Sequence, residues 1–117
     1  MLLTVGGHVL GDLPPQCARM ATGFAGGVGD GQQEMCGALS GGAMVIGALY
    51  GRETVHGDDR EAVARAARYR QAFADAFGAT QCAHLRILVH ASGGLGSCAA
   101  LVERAAALLM EILETSG

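Results

Sequence analysis

The sequence is poor in aromatic residues and in charge. It contains no tryptophan, two tyrosines and three phenylalanines, and 16% of its residues are charged whereas 50% are hydrophobic. This balance excludes a disordered chain, because disorder requires low hydrophobicity and high net charge. With few aromatic side chains available, the core must consist mainly of alanine, leucine, valine, methionine and glycine. Small residues in such numbers favour closely spaced helices.

The chain also lacks a basic excess and a targeting signal. Its formal net charge is −3 and its arginines alternate with acidic residues, which gives no reason to expect binding to nucleic acid. The first ten residues, MLLTVGGHVL, have no basic region and no cleavage site, and they are too few to span a bilayer. We therefore predict a cytoplasmic protein without membrane insertion. In that reducing compartment, its four cysteines are expected to be thiols, metal ligands or redox centres.

The most unusual stretch is a charge-free helix preceded by a glycine-rich loop. Residues 35–50 contain neither a charged residue nor proline, which predicts a buried central helix. Each of its glycines, Gly37, Gly41, Gly42 and Gly47, costs about 1 kcal/mol relative to alanine. We expect neighbouring helices to offset this cost by packing closely against the glycine positions.

The remaining pattern predicts one all-α domain over residues 1–117, a compact bundle of about five helices around the central one. Further helices are predicted to end at Leu10, to begin at Pro14-Pro15, to run from Asp58 to Phe77 with a stop at Gly78, and to run from Ser97 to about Glu114. Between the last two we predict a helical turn near Cys82 and a strand-like run, Ile87 to His90. No repeat or internal boundary is apparent.

Two helices carry clear apolar faces. In the helix that ends at Phe77, one face is predicted to be buried and the arginines to lie on the other; the buried face comprises Ala62, Ala66, Tyr69, Phe73 and Phe77. In the last helix, a core-facing stripe is predicted at Cys98, Val102, Ala105, Leu109 and Ile112. The second pattern predicts that Cys98 faces the core.

Neither glycine-rich loop matches a nucleotide-binding motif. The loop from Gly23 to Gly31 is not followed by Lys-Ser or Lys-Thr, so a P-loop is not supported. We expect instead a backbone with positive φ that packs tightly beside Cys36. The segment Ile87 to Leu109 mimics a dinucleotide fingerprint at Gly94, Gly96 and Ala99, but the second strand and its acidic residue are missing.

The cysteines are the candidates for chemistry. Cys36 and Cys98 lie at predicted helix N-termini, where the helix dipole stabilises a thiolate. The alternative is that each cysteine simply fills space as a small hydrophobic residue. No Cys-x-x-Cys occurs, so spacing indicates neither a thioredoxin motif nor a zinc ribbon. Cys82 and His84 are close enough in sequence to reach one ion, whereas the other histidines, His8, His56 and His90, are expected at the surface.

A family resemblance rests on three segments: Gly23-Phe24-Ala25-Gly26-Gly27, Cys36-Gly37-Ala38-Leu39-Ser40-Gly41 and Tyr50-Gly51. These segments resemble the C-GCAxxG-C-C family, whose proteins are described as redox-active. The resemblance covers the chain from Leu13 on and places the family's second, third and fourth cysteines at Cys36, Cys82 and Cys98. The position of the family's first cysteine falls just upstream of Met1, so either the protein starts earlier or it lacks that cysteine. Cys17 is not its equivalent.

The leading hypothesis is a redox-active protein in which Cys36, Cys82 and Cys98 converge near the glycine loop. These cysteines, with His84, would bind an iron–sulfur cluster or another thiophilic metal, or the thiols would exchange with disulfides of a redox partner. Candidates for contact with a cofactor are Gly26, Gly27 and Gly37. The alternative is a homo-oligomeric assembly module, such as a homodimer, with structural cysteines. A small-molecule pocket at the glycine loop is a third hypothesis.

Overall fold

The computed structural model describes residues 1–114, which fold into six α-helices without a β-strand. A π-helical turn, Leu2–Gly6, continues directly into the first of them, α1. The six helices are α1 (Gly7–Leu10), α2 (Pro15–Thr22), α3 (Gly37–Tyr50), α4 (Arg60–Phe77), α5 (Cys82–His90) and α6 (Cys98–Glu114). The predicted all-α class is confirmed, with one helix more than expected. Within this range no helix combines the length and apolarity needed to cross a bilayer.

Helix α3 lies at the centre of the molecule, as its lack of charge predicts. It packs against α4, α6 and the N-terminal π-helical turn. Val45 and Ile46 are fully buried, and Ala38 and Leu39 are nearly so. Because α3 contacts elements on several sides, its N-terminus has a fixed position relative to the other helices.

Close packing against glycine occurs at two of the four predicted positions in α3. A methyl group added to Gly42 would overlap the ring of Tyr69 in α4. One added to Gly41 would lie 3.0 Å from Cβ of Met1. Gly37 and Gly47 have no such close neighbours. The glycines of α3 therefore serve contacts within this chain, to α4 on one side and to the N-terminal turn on the other.

The aromatic residues of α4 form the other half of this contact. Tyr69 and Phe73 are fully buried, as the predicted apolar face requires. Their rings meet edge to face with centroids 6.1 Å apart, and Phe77 continues the stack at 4.7 Å from Phe73. The hydroxyl of Tyr69 donates a hydrogen bond to the carbonyl of Ala38 at 3.0 Å, so the one polar group of this buried side chain has a partner.

The prediction that the arginines of α4 all lie on its exposed face is wrong for Arg65. This side chain is buried, with 6% exposure of the residue. Its Nη1 donates to the carbonyl of Ile112 at 2.7 Å, and the guanidinium lies 4.3 Å above the ring of Tyr50. Glu61, one turn earlier, also pairs with it. These contacts compensate for burying the charge and tie α4 to the C-terminal part of α6.

The predicted strand at Ile87 to His90 is also wrong. The turn near Cys82 and the strand-like run form a single helix, α5, in which Cys82, Leu85 and Val89 share the buried face. Ile87 points away from that face and is 70% exposed. A short apolar run fits a strand and a buried helix equally well by composition, and the helical spacing of the buried residues decides between them. Without the strand, the resemblance to a dinucleotide fingerprint disappears.

The helix ends follow the sequence signals closely. Gly78 has the left-handed conformation expected at the end of α4, with φ 83°. Ser97 accepts a hydrogen bond from the backbone N–H of Ala100 at 3.1 Å, as predicted for a capping serine. At the start of α4 the N-cap is Asp59 rather than Asp58. Asp58 instead accepts the N–H of Arg60 at 3.0 Å, and thus still satisfies one backbone group of the first turn.

A matched pair of substitutions in α3 tests the close approach of α4. Gly42→Ala should lower the free energy of unfolding by about 1–3 kcal/mol, because the added methyl overlaps the ring of Tyr69. Gly47→Ala, on the same helix and with no neighbour, should raise it by up to about 1 kcal/mol. Urea unfolding of both variants measures the two effects. Equal effects of the same sign would contradict the proposed role of Gly42.

Candidate functional site

The structure brings three of the four cysteines together at helix N-termini. Cys36 is the N-cap of α3, while Cys82 and Cys98 are the first residues of α5 and α6. The thiols of Cys82 and Cys98 both lie close enough to Cys36 to influence its pKa. Cys17, on α2, is not among these neighbours. All four cysteines are free. Cys82 and Cys98 thus lie within electrostatic reach of Cys36, and the convergence of all three thiols into one site stays a prediction.

A short antiparallel pairing joins the segment before α3 to the segment before α5. Its centre is an isolated β-bridge between Met35 and Gln81. On either side of the bridge, the N–H of Cys36 donates to the carbonyl of Thr80, and the N–H of Cys82 donates to that of Glu34, each at 2.8 Å. Sequence reasoning did not find this pairing, since it joins residues far apart in the chain and involves a single pair.

The register of this pairing fixes how two of the thiols face each other. Cys36 lies opposite Thr80, and Cys82 lies opposite Glu34, so the two cysteines are diagonal neighbours on the same side of the bridge. In antiparallel pairs the Cα atoms of such neighbours are about 7–8 Å apart. A disulfide usually requires about 4.4–6.8 Å. At that general spacing, a disulfide between Cys36 and Cys82 would require the backbone to move.

The glycine-rich loop has an unusual backbone. All five residues from Gly26 to Asp30 have positive φ, between 56° and 67°, and Gln32 has φ 63°. The prediction of positive φ is thus confirmed, and it extends to non-glycine residues. Val28, with φ 64°, is β-branched, so its left-handed conformation costs roughly 1–2 kcal/mol. Such strain persists only where surrounding contacts enforce it. Here the loop has backbone hydrogen bonds of its own, such as that from Gly29 to the carbonyl of Gly23 at 2.8 Å, and it also contacts α5.

Two of those contacts hold the N-terminus of α5. The carbonyl of Gln32 accepts the N–H of Ala83 at 2.9 Å, beside the bond from Cys82 to Glu34. The loop thereby satisfies two backbone N–H groups that the first turn of α5 leaves without helical partners. The loop serves as the cap of the helix that carries Cys82.

Gly27 lets this loop approach the cysteines. Gly27 is buried, and a Cβ at this position would lie 2.5 Å from Cβ of Cys82. The close neighbour is therefore Cys82, whereas the sequence predicted packing beside Cys36. Gly26 contacts Asp30 within the loop, and Gly37 has no close neighbour. Contact of Gly26, Gly27 or Gly37 with a cofactor stays a prediction.

The environment of Cys36 opposes ionisation. Burial raises the pKa of the Cys36 thiol, and this effect outweighs the backbone amides of Ala38 and Leu39, which favour the thiolate. The neighbouring charges of Cys82 and Cys98 raise the pKa further. The expectation that the helix N-terminus makes Cys36 a stabilised thiolate is wrong, because the sulfur is desolvated among residues of the core.

Arg86 is a site residue that sequence reasoning missed. It follows Cys82 by one turn on α5, and a hydrogen bond to the Cys82 sulfur raises the pKa of its guanidinium. The charges of Cys98 and Asp30 act in the same direction. The signal was present as an i,i+4 pair, but it could be recognised only once residues 82–90 were known to form one helix. Arg86 supplies positive charge to the buried thiol and the exposed one.

Cys98 is exposed, contrary to the prediction that it faces the core. The buried stripe of α6 runs through Leu101, Ala105 and Leu109. Cys98 is in helical register with this stripe, but it is the first residue of the helix and its side chain remains open to solvent. The cluster therefore contains an exposed thiol, Cys98, a half-buried one, Cys36, and a buried one, Cys82.

A metal centre has less support in this geometry. Among residues 1–114, no group of three or more His, Cys, Asp or Glu side chains is arranged to hold a metal ion. His84 is exposed, as are His8, His56 and His90. Residues two apart on a helix do not share a face, so His84 and Cys82 project in different directions. A metal bound by Cys36, Cys82, Cys98 and His84 stays a prediction that these positions do not favour.

A pair of glycine variants tests the contact between the loop and Cys82. Gly29→Ala should lower the free energy of unfolding by roughly 1–2 kcal/mol, because alanine is strained at its φ of 59° but meets no neighbour. Gly27→Ala carries the same strain and also collides with Cys82, so it should destabilise more. It should also speed alkylation of Cys82, as measured by mass spectrometry of peptides. Equal alkylation of Cys82 in both variants would contradict this role of Gly27.

The pKa of Cys36 gives a prediction with a definite sign. Only the thiolate reacts with iodoacetamide, so the pH midpoint for alkylation of Cys36 should lie above its midpoint in the unfolded chain. Because the unfolded chain releases this proton first, stability should fall as pH rises through the unfolded pKa. Cys36→Ser, which lacks the thiol, should show less of this loss. A midpoint below that of the unfolded chain would mean that the helix N-terminus outweighs burial.

One of three comparisons with known proteins gives a match. A search of curated proteins and of solved structures found no significant match to either. A family model does match, over residues 1–112, and it bears the description "Putative redox-active protein (C_GCAxxG_C_C)". The match includes the CGAxxG segment at Cys36 as well as Cys82 and Cys98. The chain belongs to the C-GCAxxG-C-C family.

Proposed function

We propose that this chain is a dithiol–disulfide redox protein in which Cys36 and Cys82 store a pair of electrons and Cys98 exchanges them with a partner. The single observation that supports this most is the position of Cys36, within electrostatic reach of both other thiols. The family description gives the redox class. Exchange between thiols requires only that two sulfurs meet at a time, which this geometry favours more than a metal site.

The three thiols differ in their exposure to solvent, and the proposed role requires such a difference. A thiol that meets a partner must be accessible, and Cys98 is exposed. A thiol pair that keeps its electrons must be sheltered from stray oxidants, and Cys82 is buried while Cys36 is half-buried. Arg86, whose guanidinium has its pKa raised by Cys82 and Cys98, places a positive charge next to these two thiols.

Each exchange step conserves electrons. The Cys98 thiolate attacks a disulfide of the partner, forms a mixed disulfide and releases the first partner thiolate, which takes up a proton. Cys82 attacks the sulfur of Cys98 and releases the second partner thiol. Cys36 then attacks Cys82, which leaves the disulfide Cys36–Cys82 and restores the Cys98 thiol. In total, two electrons and two protons pass from the protein to the partner, and the reverse sequence reduces the protein.

The strained loop supports the last step. Cys36 and Cys82, as diagonal neighbours, must move closer to form a bond. The loop from Gly26 to Asp30 packs closely on Cys82 at Gly27, where a side chain would collide with it, and Val28 in this loop has a strained backbone. Because the adjoining segment caps α5, a shift of this loop would move the start of α5 and with it the Cys82 sulfur relative to Cys36. The loop is thus the adjustable part of the proposed site.

The metal-site and homo-oligomer hypotheses have less structural support. An iron–sulfur cluster or another thiophilic metal would need the three cysteines to rearrange, since they have no metal-holding geometry within residues 1–114. Homo-oligomerisation through the glycines of α3 has less support, because two of them, Gly41 and Gly42, pack against other parts of the same chain. Association between copies remains a proposal, which analytical ultracentrifugation of the reduced protein would test.

Serine variants of the cysteines test the proposed exchange. After oxidation with diamide and alkylation with N-ethylmaleimide, the wild type should keep two of its four reactive thiols. Cys36→Ser and Cys82→Ser should each lose the disulfide Cys36–Cys82. Cys98→Ser should still form it, but should reduce a protein disulfide much more slowly. Intact-mass spectrometry and disulfide mapping provide the measurements.

Cys17→Ser is the matched control, because this cysteine lies on α2 outside the cluster. It should form the disulfide Cys36–Cys82 like the wild type. Four reactive thiols in the oxidised wild type would contradict the proposal. The same protein, purified without oxygen, should also be analysed for metals. Iron with sulfide-to-iron absorption bands would replace thiol exchange with a cluster as the function.

A further inference from the structure

An apolar cleft of about 510 Å³ lies apart from the thiol cluster. It opens between the C-terminal end of α4, α5 and α6, and the loop Gly93 to Leu95 closes one side. Of the described residues that line it, none is a cysteine. Its volume falls within the range of about 300–1,000 Å³ typical of small-molecule sites. Neither the family description nor the proposed exchange of thiols uses this cleft.

The lining of the cleft is almost entirely aliphatic and aromatic. Its floor consists of core residues, Leu85, Val89 and Leu101, which are nearly or fully buried. Its walls include Phe77 and Leu108, which are only partly covered. Apolar surface that remains open to solvent in this shape favours a ligand with an apolar body, because binding removes that surface from water.

One charged residue interrupts this lining. Arg104 is the only ionisable side chain among the described residues of the cleft, and it is exposed. Leu101, Arg104 and Leu108 follow one another at helical spacing, so the guanidinium lies on the same face of α6 as the apolar wall. With the residues of 1–114 it makes neither an ion pair nor a hydrogen bond. A single unpaired cation beside an apolar surface complements one anionic group on an apolar chain.

The wall formed by the loop is held in place. A Cβ on Gly94 would lie 2.5 Å from the carbonyl oxygen of Val89, so the loop backbone packs directly on the end of α5. Gly94 also donates its N–H to the carbonyl of Ala91, and Gly96 donates to that of Val89, each at 2.9 Å. These bonds use carbonyls that the end of α5 would otherwise leave unpaired. The cleft is therefore preformed rather than created by a ligand.

We propose that this cleft binds an amphipathic monocarboxylate, a small molecule with an unbranched aliphatic chain and one terminal carboxylate. The chain lies over Leu101 and Leu108, and the carboxylate pairs with Arg104 at the rim. This site is independent of the three cysteines, since no thiol takes part in it. Its failure would leave the proposed redox function intact, and the reverse also holds.

Isothermal titration with sodium octanoate tests the site, using hexanoate and decanoate to vary the chain. One equivalent should bind, and each added methylene should tighten binding about fourfold. Octanamide, which has the same chain without the charge, should bind more weakly. Arg104→Gln should weaken octanoate up to about fivefold and leave octanamide unchanged. Arg70→Gln, an exposed arginine of α4 outside the cleft, is the matched control.

Three further variants keep the test decisive. Ala107→Phe should block the cleft and abolish binding of octanoate and octanamide, whereas Ala67→Phe, outside the cleft, should bind both. Arg104→Glu should reverse the preference and bind octylammonium in place of octanoate. Equal binding of octanoate and octanamide to the wild type would overturn the proposal, as would unchanged binding to Ala107→Phe. A second copy of the chain that covers the cleft, detected as a dimer by sedimentation, would overturn it too.

Discussion

The contact between α3 and α4 at Gly42 and Tyr69 is the constraint on which the rest of the structure depends. The ring of Tyr69 occupies the space that a side chain at Gly42 would fill, and its hydroxyl bonds to the carbonyl of Ala38. This contact offsets the low helix propensity of glycine and fixes α3 against α4. Since Cys36 caps α3 only two residues before Ala38, the same contact sets the position of the first thiol. Burial of Tyr69 and the charge of Cys36 both raise the pKa of that phenol, which keeps it a neutral donor.

Backbone hydrogen bonds, rather than side-chain contacts, position Cys36 and Cys82 relative to each other. The bridge between Met35 and Gln81 joins the residues just before α3 to those just before α5, and the glycine loop caps α5. Strain in the loop is the cost of this arrangement, and Gly27 at its closest point makes the contact with Cys82 feasible. The result is three thiols at three depths, with Arg86 as the nearby cation. Burial raises the pKa of the Cys36 thiol, whereas the Cys98 thiol is exposed to solvent.

Much of the fold could be predicted because local signals agree with tertiary burial. The uncharged run of α3, the glycine at the end of α4 and the serine at the start of α6 each have one structural solution. Predictions failed where a pattern has two solutions. The apolar run that ends at His90 fits a strand or a buried helix, and packing of Leu85 and Val89 against the core selects the helix. The sequence predicted that Arg65 lies at the surface, whereas in the structure it is buried against the ring of Tyr50 and the carbonyl of Ile112.

The sequence by itself determined the family and the all-α class, and it singled out Cys36, Cys82 and Cys98 as the candidate redox residues. The CGAxxG segment and the order of Cys82 and Cys98 carry that information without any coordinates. Only the tertiary structure decided which thiol is buried, which is exposed and which cation lies beside them. The physical reason is that local patterns fix a helix and its ends, whereas the solvation of a sulfur depends on neighbouring elements far away in the chain. The same holds for the cleft at Arg104, whose walls come from three helices and one loop.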